Sequence, residues 1–79
     1  MTTTLTATLT GRDRAILRAV GAGHAELGSG SVLYLDGLYC SDQAAAWRLA
    51  DAGLIAAAPG ATGERVPAVL TREGLELAA

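Results

Sequence analysis

The sequence predicts a small α+β domain of three helices and a C-terminal two-stranded hairpin. A further segment, Ser31–Cys40, reads either as an additional β-hairpin or as a short helix. Three observations carry this reading. Thr10, Ser41 and Thr71 each stand as a capping residue before a helix-forming run. Pro59-Gly60-Ala61-Thr62-Gly63 is turn chemistry between two runs that favour strands. Asp36-Gly37 separates two apolar runs with the two-residue spacing of a tight hairpin.

Length and composition bound the rest. The chain of 79 residues makes one domain over residues 10–79, preceded by residues 1–9 as an N-terminal strand or a flexible arm. Thr4, Thr6 and Thr8 alternate with Leu5, Ala7 and Leu9, which is the strand pattern. Slightly over half of the chain is apolar, but much of that is alanine and there is no Phe. The expected large core side chains are therefore Ile16, Leu17, Val20, Leu33, Leu35, Leu49, Leu54, Ile55, Val66, Val69, Leu70 and Leu75. Net charge is −2 and every basic residue is arginine, a balance that argues against a strong, sequence-independent grip on phosphates. One cysteine allows no internal disulfide and points to a cytoplasmic protein. No apolar run reaches membrane-spanning length and no basic, signal-like segment opens the chain, so no membrane partner is expected.

Taken in order, helix 1 starts at the Thr10 cap, with Asp13 placed to meet the free N–H groups, and runs to about Ala22. Gly21 and Gly23 stop it. His24–Gly30 reads as a short strand and a turn. The central helix begins at the Ser41 cap, with Asp42 in its first turn and Ala44-Ala45-Ala46 as its strongest helix-forming run. Ala45, Leu49 and Ala52 should face the core with Ala46 beside them, leaving Gln43, Trp47, Ala50 and Asp51 on the other side. Gly53 follows as the C′ residue. Leu54–Ala58 and Arg65–Leu70 are the two strands of the C-terminal hairpin, and Pro67 should mark a sheet edge. Thr71 caps the last helix, with Leu70 and Leu75 at the positions of a hydrophobic staple. Gly74 should weaken it.

The residues offer no catalytic constellation, so no enzyme and no cofactor are expected. His24 and Cys40 are single, and single cysteines are usually core residues. No set of three spaced N/S ligands is present for a metal. Gly28-Ser29-Gly30 and Gly60–Gly63 lack the strand–helix context of a phosphate loop. The outer surface of the central helix is the candidate site. Gln43 can pair with adenine and Arg48 with guanine or phosphate, while Trp47 is either exposed or half-buried against a neighbouring element. Arg65 in the hairpin, and Arg12, Arg14 and Arg18 on helix 1, can add backbone contacts. Asp42, Asp51 and Glu64 oppose them.

The runs LTGRDRAILRAV, AGLI with its Pro/Gly turn, and LTREGLELA together resemble the winged helix-turn-helix regulators of the MarR and PadR type. The resemblance covers about two thirds of the chain, and a Gly-rich segment stands where helix 2 would be. It implies a DNA-binding transcription regulator, with Gln43, Trp47 and Arg48 at recognition-helix positions and Arg65 in the wing. The alanine-rich, lysine-free composition is similar to that of small actinobacterial and phage proteins. The alternative reading is a protein–protein interaction module that keeps the scaffold without DNA, since one fold hosts unrelated roles. Homodimerisation through the N-terminal strand or last helix is compatible with either.

Overall fold

The computed structural model describes residues 9–78; the N-terminal strand or arm read over residues 1–9 lies outside them apart from Leu9. Among the described residues are three α-helices and a five-stranded antiparallel sheet. In chain order they are α1 (Gly11–Gly21), β1 (Ala25–Gly28), a 3-10 turn (Ser29–Ser31), β2 (Leu33–Leu35) and β3 (Leu38–Tyr39). Then follow α2 (Gln43–Asp51), β4 (Ile55–Ala57), β5 (Arg65–Leu70) and α3 (Arg72–Ala78). The sheet order is β3-β2-β1-β5-β4.

Helix α1 begins as its sequence dictates. The Thr10 hydroxyl accepts from the Asp13 N–H at 3.1 Å, and the Asp13 carboxylate accepts from the Thr10 N–H at 3.0 Å. Each side chain satisfies a donor that the helix itself leaves free. The central helix differs by one residue from its sequence reading. Asp42, not Ser41, is the cap, and its carboxylate accepts from the Ala45 N–H at 3.0 Å. Both residue types can cap; Asp42 prevails because the helix starts only at Gln43, whose side chain is engaged elsewhere.

The segment Ser31–Cys40 is a hairpin, not a helix. Leu35 pairs with Leu38 and Tyr34 with Tyr39 across Asp36-Gly37. Both turn residues have left-handed φ, +53° and +78°, the combination a tight two-residue turn demands. Strand β2 extends the sheet by pairing with β1, Glu26 opposite Tyr34.

Pro67 does not mark a sheet edge. Strand β5 lies inside the sheet, pairing with β1 through Arg65–Pro67 and with β4 through Ala68–Leu70. The proline is tolerated because the β4 ladder ends beside it. The Pro67 carbonyl accepts from the Ala58 N–H at 2.9 Å, whereas the Ala58 carbonyl, which a donor at Pro67 would have reached, is taken by the Ala61 N–H at 3.1 Å. The missing N–H falls where its acceptor is already occupied.

The core gathers Ile16, Leu17 and Val20 of α1, Leu33 of β2, Leu49 of α2, and Leu54 and Ile55 at the start of β4, all buried, with small Ala45, Ala46 and Ala68 between them. Each large side chain sealed from water contributes on the order of 2 kcal/mol. Leu35, Val66, Val69 and Leu70 are only half-buried. Leu75, expected in the core, is 64% exposed, because a seven-residue helix can seat only one narrow stripe. Ala52 is also exposed, as the C-cap of α2.

Helix α3 is seated by a dense junction. The Thr71 hydroxyl donates to the Gly53 carbonyl at 2.6 Å and accepts from the Gly74 N–H at 3.1 Å, while the Thr71 N–H donates to the Leu54 carbonyl at 3.1 Å. Gly53, with φ of +80°, ends α2 in the left-handed conformation. Gly74 is buried, and a Cβ there would overlap the Leu54 carbonyl oxygen. The glycine that weakens α3 in isolation is what lets it dock.

Gly74→Ala is expected to destabilise the domain by about 2 kcal/mol, since backbone overlap outweighs the gain in helix propensity. Gly11→Ala, where a Cβ meets nothing within 4 Å, is expected to be neutral or mildly stabilising. Urea denaturation of the two variants side by side checks this; equal midpoints would show that α3 does not rest on this contact.

Candidate functional site

Helix α2 places its side chains by angular position. Ala45, Ala46 and Leu49 are buried, while Gln43 and Ala50 fall on the flank towards the strands and Arg48 on the flank towards α1. Trp47 and Asp51 point outward between these flanks, with Trp47 55% exposed.

Gln43, expected on the outward surface, is instead turned into the hairpin. Its Oε1 accepts from the Leu33 N–H at 3.0 Å, and its Nε2 donates to the carbonyls of Leu33 at 2.8 Å and Cys40 at 2.9 Å. Beyond Tyr34–Tyr39 the next pair of the ladder would be Leu33–Cys40. One half of that pair forms, as the Cys40 N–H reaches the Leu33 carbonyl at 3.0 Å. The Gln43 carboxamide supplies the other half. A side-chain amide carries the same donor and acceptor as a peptide unit, and here it continues the sheet into the helix.

Arg48 and Arg14 are held by internal partners. The Arg48 Nη2 lies 3.5 Å from the Asp13 Oδ1. Asp13 is 1% exposed, and that oxygen has no hydrogen bond, so the guanidinium is the charge that compensates it. Arg12 and Asp42 make a second, looser ion pair between α1 and α2, at 3.6 Å. The Arg14 Nη1 donates to the Leu77 carbonyl at 3.3 Å, meeting the carbonyl end of α3.

Arg65 faces away from the helices, on the open side of the sheet. Pro67, Glu26, Tyr34 and Tyr39 stand opposite one another in a single row across β5, β1, β2 and β3. Arg65 lies over that row: its Nη2 bonds the Glu26 Oε1 at 2.9 Å and reaches the Gly37 carbonyl at 3.4 Å, and its guanidinium carbon sits 3.8 Å from the Tyr34 ring centroid. Tyr39 meets Tyr34 edge to face at 6.2 Å. Among the described residues Arg18 and Arg72 are the exposed arginines with no ion pair, one on α1 and one on α3. The six expected contact residues thus do not form one surface. On α2, Trp47 points outward, and Arg48 stays exposed at the margin of that face while paired with Asp13.

Two further surface features stand out. Leu38 is 72% exposed on β3. By strand alternation it stands on the same side of the sheet as Leu35, the side on which α2 packs. The second is a groove of about 710 Å³ between the Gly28–Ser31 turn, Ala50 of α2 and the β4–β5 hairpin. Its only trace in the sequence is small residues, glycines and the Ala56-Ala57 pair, at the positions that line it. Cys40 is buried at the end of the hairpin, and His24 is exposed near its turn, 3.5 Å from Asp36. Among the described residues no cluster of His, Cys, Asp and Glu could hold a metal, and no helix is long and apolar enough to cross a membrane. Comparison of the chain with family models, curated proteins and solved structures found no match.

Gln43→Glu keeps the acceptor for Leu33 but turns a carboxylate oxygen onto two carbonyls. It is expected to cost about 2 kcal/mol or more, because buried groups left unmatched cost more than a bond contributes. A urea midpoint within error of the wild type would show that the carboxamide does not join the hairpin to α2.

Proposed function

We propose that this chain is a protein-interaction module on a winged-helix-type scaffold, anchored on its partner by Trp47. The scaffold reading is supported by the sequence of elements: α2, the Gly53-Leu54 exit and the β4–β5 hairpin follow one another as helix and wing, with the β2–β3 hairpin in the place of helix 2. One observation carries the choice of protein over DNA. Of the arginines suited to phosphate or base contact, Arg12, Arg48 and Arg65 are ion-paired with Asp42, Asp13 and Glu26, and Arg14 is spent on the Leu77 carbonyl, which leaves Arg18 of α1 as the one of that set without an internal partner among the described residues. Trp47 remains open at the centre of the outward face of α2, next to Asp51. Net charge of −2 acts in the same direction. An exposed tryptophan on a rigid helix is the residue type that most often dominates a protein interface.

Trp47→Ala is expected to weaken partner binding by about 2 kcal/mol, roughly thirtyfold, with stability close to wild type. Affinity capture with wild type and variant in parallel, followed by titration of the recovered partner, measures this. Titration of short duplex DNA at low salt provides the opposing case. Tight binding with a steep salt dependence, unchanged in Trp47→Ala, would replace the protein reading by the DNA-binding regulator.

A further inference from the structure

The groove between α2 and the β4–β5 hairpin has a chemistry that specifies its occupant. Its floor is apolar, formed by Leu27, Val66, Ile55 and Ala57, and Ala50 closes one side. Its polar side chains are few, the Ser29 and Ser31 hydroxyls and the Glu64 carboxylate, and the Gly28, Gly30 and Gly63 backbone lines it beside them. Its volume, about 710 Å³, suits a few side chains rather than a whole helix. One charged side chain lines it, Glu64, which has no ion pair among the described residues. The nearest arginine in sequence, Arg65, points to the opposite face of the sheet, where Glu26 and Tyr34 hold it. The remaining unpaired arginines, Arg18 and Arg72, belong to α1 and α3, neither of which lines the groove.

We propose that this groove takes a short peptide segment of the partner that carries apolar side chains and a cationic one. The apolar side chains lie on the floor, and the cation meets Glu64 at the rim. An unpaired carboxylate beside buried apolar contacts rewards a positive partner and rejects a negative one, which confers selectivity more than raw affinity. Nucleic acid is disfavoured at the same place for the same reason. This proposal rests on the protein-interaction reading and adds the class of ligand to it.

The experiment uses the full chain, uniformly labelled with nitrogen-15, and a hexapeptide of alternating leucine and lysine as probe. A leucine–glutamate hexapeptide and a short duplex DNA serve as comparisons. The lysine peptide is expected to bind and to shift the amide signals of Ser29, Ser31, Ala57, Gly63 and Glu64. The glutamate peptide is expected to bind at least about tenfold more weakly, and Glu64→Lys to weaken the lysine peptide about tenfold, as loss of one favourable charge contact implies. Ala57→Trp, which fills the floor, should abolish binding; Glu64→Lys is on the exposed wing and tests the same point if the tryptophan variant does not fold. No binding, equal affinity for both peptides, or indifference to Glu64→Lys would overturn the proposal. Shifts confined to Trp47 and Leu38 would also overturn it while leaving the protein-interaction reading in place. Binding of the duplex with shifts on α2 would overturn both.

Discussion

A side-chain amide stands in for a missing stretch of backbone at the centre of this domain. The β2–β3 hairpin has only two cross-strand pairs before β3 ends. A hairpin that short is marginal unless something caps it. The Gln43 carboxamide closes the open end by bonding to Leu33 and Cys40. The same residue opens α2, so hairpin and helix are one unit. The buried side chains of Leu33, Leu49 and Cys40 are brought together around this join.

A second join fixes the other end of α2. Thr71 bonds Gly53 and Leu54, and Gly74 lets α3 approach the Leu54 carbonyl. Between the two joins, Asp13 and Arg48 tie α1 to α2. In a chain with few large side chains, polar contacts at helix ends do much of the work that bulky packing does elsewhere. They fix direction as well as distance, which an alanine-lined interface does poorly.

This economy bears on function. An arginine used to neutralise a buried carboxylate or to close a helix end is not free for a ligand. Arg48 and Arg14 are used in this way, and Arg65 is stacked on Tyr34 on the face away from α2. What stays available on α2 and the neighbouring groove is Trp47, small apolar side chains, and the carboxylates of Asp51 and Glu64. The proposed protein-interaction reading rests on that composition.

Local chemistry was legible in the sequence wherever a few consecutive residues decide it. The Thr10–Asp13 capping box, the Asp36-Gly37 turn, the Gly53 helix stop and the Thr71 cap all form as their sequence requires, because each depends on backbone geometry within four residues or so. That the described residues make three helices with a C-terminal hairpin follows from the same signals. Only the tertiary structure decided where long side chains go. Gln43 turned inward because Leu33 and Cys40 present unmatched groups beside it; Pro67 entered the sheet because Ala61 had already taken the Ala58 carbonyl. Arg48 found Asp13 across a gap of thirty-five positions, and no periodicity within one helix encodes that meeting. The candidate site inherits the same division: its tryptophan is set by the helix, its groove by strands and turns that come together only in the fold.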